Sequence, residues 1–393
     1  MFPELTISGA PFERGRAYGA TVATLVAHSI ASYARLFACR RGLDWTASQA
    51  EAMRFAPLLQ EVAPDLLDEM RGIADGAGRA LAEIVALNVR TELMAGVGTG
   101  VYHPDGLAAL ARNRAAGVPE HPAEAGEALP AVRGPQPVDD GECTTAAAAG
   151  SATAAGGTIL AQTWDWQGEQ RAACVLLRVR APGEPTLLTM TEAGMVAKVG
   201  LNSAGLAVSL NLLRSQSDGR EVGMPVHVLL RKMLQARSFA EARAVADLAP
   251  PSGSSCITLA SAAGELLSLE ITPAGVAEVW GEQELLAHTN HCVDGGAAAD
   301  ECALDAASTS RERAGRAWQL LRAGRGELDV AAMQAILRDH GDDPRCICRH
   351  PNMALAPLDR GESVCGLVLD LGAGVLHVAP GVPCMVPFTA VAL

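Results

Sequence analysis

The chain has 393 residues, 49% of them hydrophobic and 19% charged, which is ample for a well-buried core in one large domain or two smaller ones. A formal charge of −13 excludes the basic footprint of a nucleic-acid binder, and acidity of this kind serves solubility. The start, MFPELTISGAPFERGRAYG, lacks the basic region and apolar stretch of a secretory signal, and no apolar run approaches the roughly 20 residues that span a bilayer. The expectation is a cytoplasmic protein with no membrane segment. Its ten cysteines are scattered through a large chain, which argues against a disulfide scaffold.

From Pro11 to about Thr91 the pattern predicts helices. Val22, Leu25, Ser29, Tyr33 and Leu36 recur at spacings of three and four, as on one helix face. A second helical stretch runs through Leu58, Leu59, Leu66, Leu67 and Met70, and a third through Leu81, Ile84 and Leu87. Gly42 and Gly76 are read as the breaks between them. From about Ala95 to Val138 the chain is rich in Gly, Pro and Ala with little periodicity, and reads as a long exposed loop. After Cys143 the pattern turns to strands: CVLLRVR, TLLTMTEAG, MVAKVGLN, LAVSLNLL, SCITLAS and LLSLEIT, with SVCGLVLDLGAGVLHVA near the end. Two helical stretches interrupt them, GMPVHVLLRKMLQARSFAEARAVADLA and STSRERAGRAWQLLRAGRGELDVAAMQAILRDH. This order predicts an α+β fold, antiparallel sheets layered with helices packed outside.

The residues able to carry chemistry are few. Cys143 stands in DDGECTTAAAAG, where the long loop meets the first of these strands, with Asp139, Asp140 and Glu142 before it. Asp165 lies between Trp164 and Trp166, a carboxylate in an apolar setting that must find donors, of which a protonated amine is one. Asn202, Asn211 and Asn290 are amides in strand-rich stretches, which either cap turns or aim N–H groups at an oxyanion. Cys346 and Cys348 form a C-x-C close to His350, but no second pair stands at zinc-finger spacing. A structural role is expected there, with no metal and no cofactor.

Taken together, GAPFERGRAYG, EMRGIADGA, EIVALNVRTEL, CTTA, AQTWDW, TEAGMVAKVGLNSAGLAVSLNLL, HTNHC and CICRHP give a further reading. Over nearly its whole length the sequence resembles the acyl-coenzyme A:isopenicillin N (6-aminopenicillanic acid) acyltransferase family of cysteine N-terminal-nucleophile hydrolases. More distantly it is similar to penicillin V acylases and bile salt hydrolases. The resemblance implies the αββα sandwich of that superfamily and self-cleavage between Glu142 and Cys143. Residues 1–142 would form the smaller chain and 143–393 the catalytic one, the two staying associated.

It further implies that Cys143 is the nucleophile and that Asp165 holds its freed α-amino group. Asn290 would donate to the oxyanion, with Asn211 as a second polar residue facing it and Arg349 near the nucleophile. Ser255, or Ser254 beside it, falls near a serine of the family pocket, and Trp164 and Trp166 could line that pocket. Glu142 departs from the glycine that precedes the nucleophile in the family's best-known member, and the 95–138 segment is longer than there.

The expected mechanism rests on two ionisations. A free thiol has a pKa of about 8.5 and an α-amino group one of about 7.7–8.0, so an N-terminal cysteine carries its own base. While Glu142 remains attached, that nitrogen is an amide with no basicity, and cleavage is the activation step. The substrate class implied is a small N-acyl amide, with acyl-CoA as a candidate donor if an amine rather than water accepts the acyl group. A homo-oligomer is left open. Competing readings pair Cys143 with His291 or His227 in a papain-like site, or keep the fold as an uncleaved binder of acylated metabolites. The 95–138 segment is expected either to cover the pocket before cleavage and leave it afterwards, or to be a disordered insertion with no part in catalysis.

Overall fold

The computed structural model describes residues 1–96, 143–298, 301, 302, 304, 308–341 and 343–393. Strand β1 (Glu4–Ser8) opens the chain and seven helices follow: α1 (Pro11–Thr21), α2 (Ala23–Arg41), α3 (Trp45–Met53), α4 (Ala56–Val62), α5 (Pro64–Ala77), α6 (Leu81–Asn88) and α7 (Arg90–Ala95). Pro11 and Pro64 start α1 and α5, where a missing N–H costs nothing. Gly42 ends α2 in the left-handed conformation at φ 63°, as expected of a break. Gly76 does not break its helix. It lies inside α5, and the left-handed terminator is Gly78 at φ 64°.

Gly76 is there for closeness instead. Helices α1 and α5 press backbone to backbone through glycines on both sides. A Cβ on Gly15 would stand 2.1 Å from the Glu69 carbonyl oxygen, one on Gly72 2.0 Å from that of Phe12, and one on Gly76 2.1 Å from that of Arg16. The close contact seats a charge cluster. Glu69, fully buried, accepts from Arg14 Nε at 2.5 Å and from Arg231 Nη2 at 2.9 Å, so the helical region is tied to the later chain by ions with no water around them.

The rest is sheet and helix in layers. Strands β2 (Cys143–Gly150), β3 (Gly156–Gln167), β4 (Cys174–Arg180), β5 (Leu187–Glu192), β6 (Val199–Asn202) and β7 (Leu206–Leu212) precede helices α8 (Val226–Gln235) and α9 (Phe239–Ala244). Then come β8 (Ser255–Ser261), β9 (Leu266–Thr272), β10 (Gly275–Trp280), β11 (Leu285–His288), α10 (Gly295–Ala298), α11 (Ser310–Ala323), α12 (Val330–Leu337), β12 (Gly361–Asp370), β13 (Val375–Ala379) and β14 (Thr389–Ala392). One sheet has the order β1-β4-β5-β6-β7-β8-β9-β10 and the other β11-β2-β3-β12-β13-β14. The pairing is antiparallel as expected except for β1, which lies parallel to β4. No hairpin joins that pair, so no turn imposes a direction.

The sheets stack face to face, with β2 and β3 against β7 and β8; α8 and α9 cover the first sheet, and α11 and α12 the second. This is the αββα sandwich. The alanine run of β2 fits it: Ala147 and Ala149 point into the core between the sheets, while Ala146 and Ala148 point to α11 and α12. A strand buried on both faces takes small apolar side chains where its neighbours come close. Asn202 is a cap, its amide donating to the carbonyls of Leu234 and Ala236 at 2.9 Å and accepting from the Ala204 and Leu206 N–H groups.

Among the described residues no single helix is long and apolar enough to cross a membrane. The predicted loop begins at the end of α7. Beyond Gly96 it lies outside the described residues, as do Asp139, Asp140, Glu142 and the gating role expected of the segment.

Gly72→Ala should cost about 1–3 kcal/mol, the usual penalty of an extra methyl group forced into a full contact. Gly157→Ala, where a Cβ meets nothing within 4 Å, should stay within about 0.5 kcal/mol of wild type. Equal denaturant midpoints for the two variants would refute the close-contact reading.

Candidate active site

Cys143 is the first residue of β2 and stands opposite Trp164 of β3. Its backbone is held on both sides. The N–H donates to Asn290 Oδ1 at 2.7 Å. The carbonyl accepts from Asn211 Nδ2 at 2.9 Å and Arg313 Nη1 at 2.8 Å. Arg313 also reaches Thr144 Oγ1 at 2.8 Å, Asn290 Oδ1 at 3.0 Å and Thr309 Oγ1 at 3.0 Å. Asn211 in turn accepts from Thr145 Oγ1 at 2.7 Å.

Asn290 is therefore placed beside Cys143, but with its oxygen towards the Cys143 nitrogen. Its Nδ2 donates to the Leu212 carbonyl at 2.9 Å. Ser255, also buried, pairs with Leu212 across β7 and β8, whereas Ser254 is engaged by Asp218 Oδ1 at 2.6 Å in a neighbouring turn.

Asp165 is buried, and Ser363 Oγ donates to its Oδ1 at 2.7 Å. Ser363 faces Asp165 across β12, just before the register shifts so that Cys365 meets Trp164. Arg349 completes the chain by its backbone: its N–H donates to Ser363 Oγ and its carbonyl accepts from the Ser363 N–H, both at 3.0 Å. Burial, then the Asp165 charge, push the Cys143 thiol up to about 11; the Asp165 backbone N–H, Lys198 and Arg313 oppose this. The thiol of the intact chain thus keeps its proton at neutral pH.

The two tryptophans face cations. Lys198 Nζ lies 3.1 Å from the centre of the Trp164 ring, and the Arg90 guanidinium 5.3 Å from that of Trp166. Both cations pair with buried Glu192, Lys198 at 2.9 Å and Arg90 at 3.4 Å, while Tyr33 Oη donates to the same carboxylate at 2.6 Å. Burial raises Glu192, but Lys198 and Arg90 outweigh it and bring the group down to about 2. Burial also lowers Lys198 to about 8, the pull of Glu192 notwithstanding.

Sequence reasoning missed Arg313, which holds the Cys143 carbonyl, and Lys198, Glu192 and Arg90, the charges gathered at the two tryptophans. Three of them stand in NVRTEL and TEAGMVAKVG, and a buried lysine in an apolar stretch just ahead of a strand is a signal in itself. His227 and His291 turn elsewhere, Nδ1 of the first to the Ala197 carbonyl at 3.0 Å and Nδ1 of the second to Ser310 Oγ at 2.7 Å. Burial lowers them to about 3 and about 4.

A model of the family described as acyl-coenzyme A:6-aminopenicillanic acid acyl-transferase matches residues 152–354, just over half of the sequence. The chain belongs to that family. The matched stretch contains Asp165, Asn211, Ser255, Asn290, Arg313 and Arg349, and begins shortly after Cys143. A relative from Emericella nidulans, the acyl-coenzyme A:6-aminopenicillanic-acid-acyltransferase 40 kDa form, is 28% identical over 372 residues, covering 93% of this chain and 89% of the relative. Solved structures similar to the family member described here include penicillin V acylase from Agrobacterium tumefaciens, 14% identical, covering 64% of this chain and 86% of that one at a TM-score of 0.44. A variant of conjugated bile acid hydrolase from Clostridium perfringens is 10% identical and covers 63% and 92% of the two chains, also at 0.44.

Glu192 sets a pH dependence. Its folded pKa lies near 2 against an ordinary 4.5, so the unfolded chain binds the extra proton first. The stability it contributes is complete above about pH 4.5 and lost as pH falls toward about 2. Urea midpoints measured down this range should fall steeply for wild type and less steeply for Glu192→Gln, which starts from a lower value. Identical acid slopes would remove Glu192 from the balance.

Proposed function

We propose that this chain is a self-processing cysteine amide hydrolase or acyltransferase, activated by cleavage between Glu142 and Cys143. The observation that carries the reading is the grip on Cys143: its nitrogen lies 2.7 Å from a carboxamide oxygen while Asn211 and Arg313 hold its carbonyl. Two amides and a buried guanidinium thus converge on the backbone of this one cysteine and fix it on both sides. The bond before it is the one whose cleavage turns a held amide nitrogen into a held amine.

In this scheme Cys143 Sγ attacks the Glu142 carbonyl, the thiol proton passes to the departing Cys143 nitrogen, and water opens the thioester. The mature amine then takes the thiol proton, the sulfur attacks a small N-acyl amide, and the amine protonates the leaving nitrogen. Asp165, anchored by Ser363 and Arg349, orients that amine. Water as acceptor makes the enzyme a hydrolase. An amine as acceptor makes it a transferase with acyl-CoA as a candidate donor, and the name of the Emericella nidulans relative favours that variant. The two pieces stay together because Glu69–Arg231 and Tyr33–Glu192 join residues on either side of the cut within the core.

The geometry supports a use for Asn290 that the resemblance does not imply. Its oxygen accepts from the Cys143 nitrogen, so we assign it to holding the amine; donation to an oxyanion would require its amide group to leave the Leu212 carbonyl.

Cys143→Ala should run as a single uncut band on a denaturing gel and lack amidase activity, whereas wild type gives pieces 1–142 and 143–393. Two fragments from the mutant would sink the proposal. Asp165→Asn should spoil turnover with the fold intact, and normal turnover would make Asp165 structural. Asn290→Ala should lower kcat, because the amine loses the acceptor that holds it; a loss of about 10²–10³ is what removal of an oxyanion donor would give. Asn290→Asp keeps the acceptor and drops the donor, so it should recover most of that loss; an equal loss returns Asn290 to the oxyanion.

A further inference from the structure

Away from Cys143, three connecting segments converge on four side chains. His340 follows α12, Cys348 and His350 precede β12, and Cys384 lies between β13 and β14. One ligand atom from each falls within 4.8 Å of all the others. His340 Nε2 and His350 Nε2 are 3.0 Å apart, and Cys384 Sγ is 3.2 Å from His350 Nε2. We propose that His340, Cys348, His350 and Cys384 form a tetrahedral zinc site. The proposal is independent of the chemistry assigned to Cys143.

The dimensions fit. Zn–S bonds of about 2.3 Å and Zn–N bonds of about 2.0–2.1 Å at tetrahedral angles put neighbouring ligand atoms roughly 3.3–3.8 Å apart. The closest contacts need to open by only a few tenths of an ångström, and the widest separations, which are within 4.8 Å, to close by about an ångström at most. Two histidines and two cysteines are a donor set that suits zinc, and four protein ligands leave no open position, so the ion is structural rather than catalytic. Binding is balanced in protons: two neutral imidazoles coordinate as they are, and two thiols each release one proton to solvent.

Three of the four side chains are exposed and could turn to water, yet all four face one another. Their backbones are already fixed at that place. Arg338 Nε donates to the Pro383 carbonyl at 3.0 Å, drawing the loop of Cys384 toward α12. The Cys348 N–H donates to the Asp339 carbonyl at 3.1 Å, and Asp339 is gripped by Arg316 at 2.9 and 2.7 Å. Cys346, the other half of the C-x-C, turns away and points its sulfur at the Cys348 carbonyl at 3.0 Å. The pairing that matters in this proposal is thus non-local, and it departs from the expectation of a purely structural C-x-C without metal.

Its place in the fold suggests its use. Cys348 adjoins Arg349, whose N–H holds Ser363, which holds Asp165. A zinc ion there would fix the segment that orients Asp165, while touching no reacting atom.

The test is metal analysis of the full-length protein, loaded with excess Zn2+ under reducing conditions and then desalted. Wild type should retain about one zinc per chain, and Cys384→Ser and His350→Ala close to none, with unchanged circular dichroism. Co2+ substitution should give tetrahedral d–d bands together with thiolate-to-cobalt charge transfer, which histidines alone do not produce. Wild type that keeps no zinc, variants that keep as much as wild type, or cobalt bound without the charge-transfer band would overturn the site. A Cys348–Cys384 disulfide found by peptide mapping of the protein as isolated would overturn it as well.

Discussion

Arg313 brings a charge to a position with no solvent exposure, and the geometry around Cys143 follows from where its donors go. A guanidinium has five N–H groups and cannot be deprotonated, so burial obliges the surroundings to supply oxygens. Here they come from the Cys143 carbonyl, Thr144, Asn290 and Thr309. The same Asn290 oxygen then receives the Cys143 N–H. One cation on α11 thereby fixes the start of β2 and the amide group across from it, and Asn211 closes the arrangement from the other sheet. Rigid elements rather than loops supply most of these contacts, which is what a site held to a fraction of an ångström requires.

A second pair of buried charges does for the whole molecule what Arg313 does for the site. Glu69 and Glu192 are both fully enclosed, each joined to partners from both halves of the sequence. Such clusters rarely add much net stability over apolar packing, but any arrangement that separates their members leaves an uncompensated charge. They therefore select one docking of the N-terminal helices on the sandwich. The backbone contact of α1 with α5 sharpens the choice, since only glycine permits that approach.

Much of this was legible in the sequence, for reasons that also mark the boundary. Strands β8 and β9 are buried on both faces and β4 over its first four residues, and their aliphatic and β-branched residues announce them. Strands β10 and β14 are partly exposed edges of mixed composition and carry no such signature. Gly76 was misread because a glycine that lets two backbones meet looks, in one dimension, like a glycine that ends a helix. At the site, Asp165, Asn211 and Asn290 stand out as polar residues in apolar stretches and Cys143 as a cysteine where loop meets strand, while the roles expected of them come from the family resemblance. Arg313 does not stand out, since it sits in a helix full of arginines and its partner is 170 positions away. The same non-locality hid the convergence of His340 and Cys384 on the CICRHP segment.

Strand β1 contributes the edge of a sheet whose other seven members all belong to the later part of the chain. As long as the backbone is continuous, its return to that edge after unfolding is an intramolecular event with a high effective concentration. If the chain is cut ahead of Cys143 as proposed, the same pairing would become an encounter between two molecules, and recovery of the fold would depend on how dilute they are. The later piece alone would present β4 as an unpaired edge, open to other chains. Such a cleavage would act as a ratchet: the protein would fold once as a single chain, and thereafter its integrity would rest on the slowness with which the two pieces part.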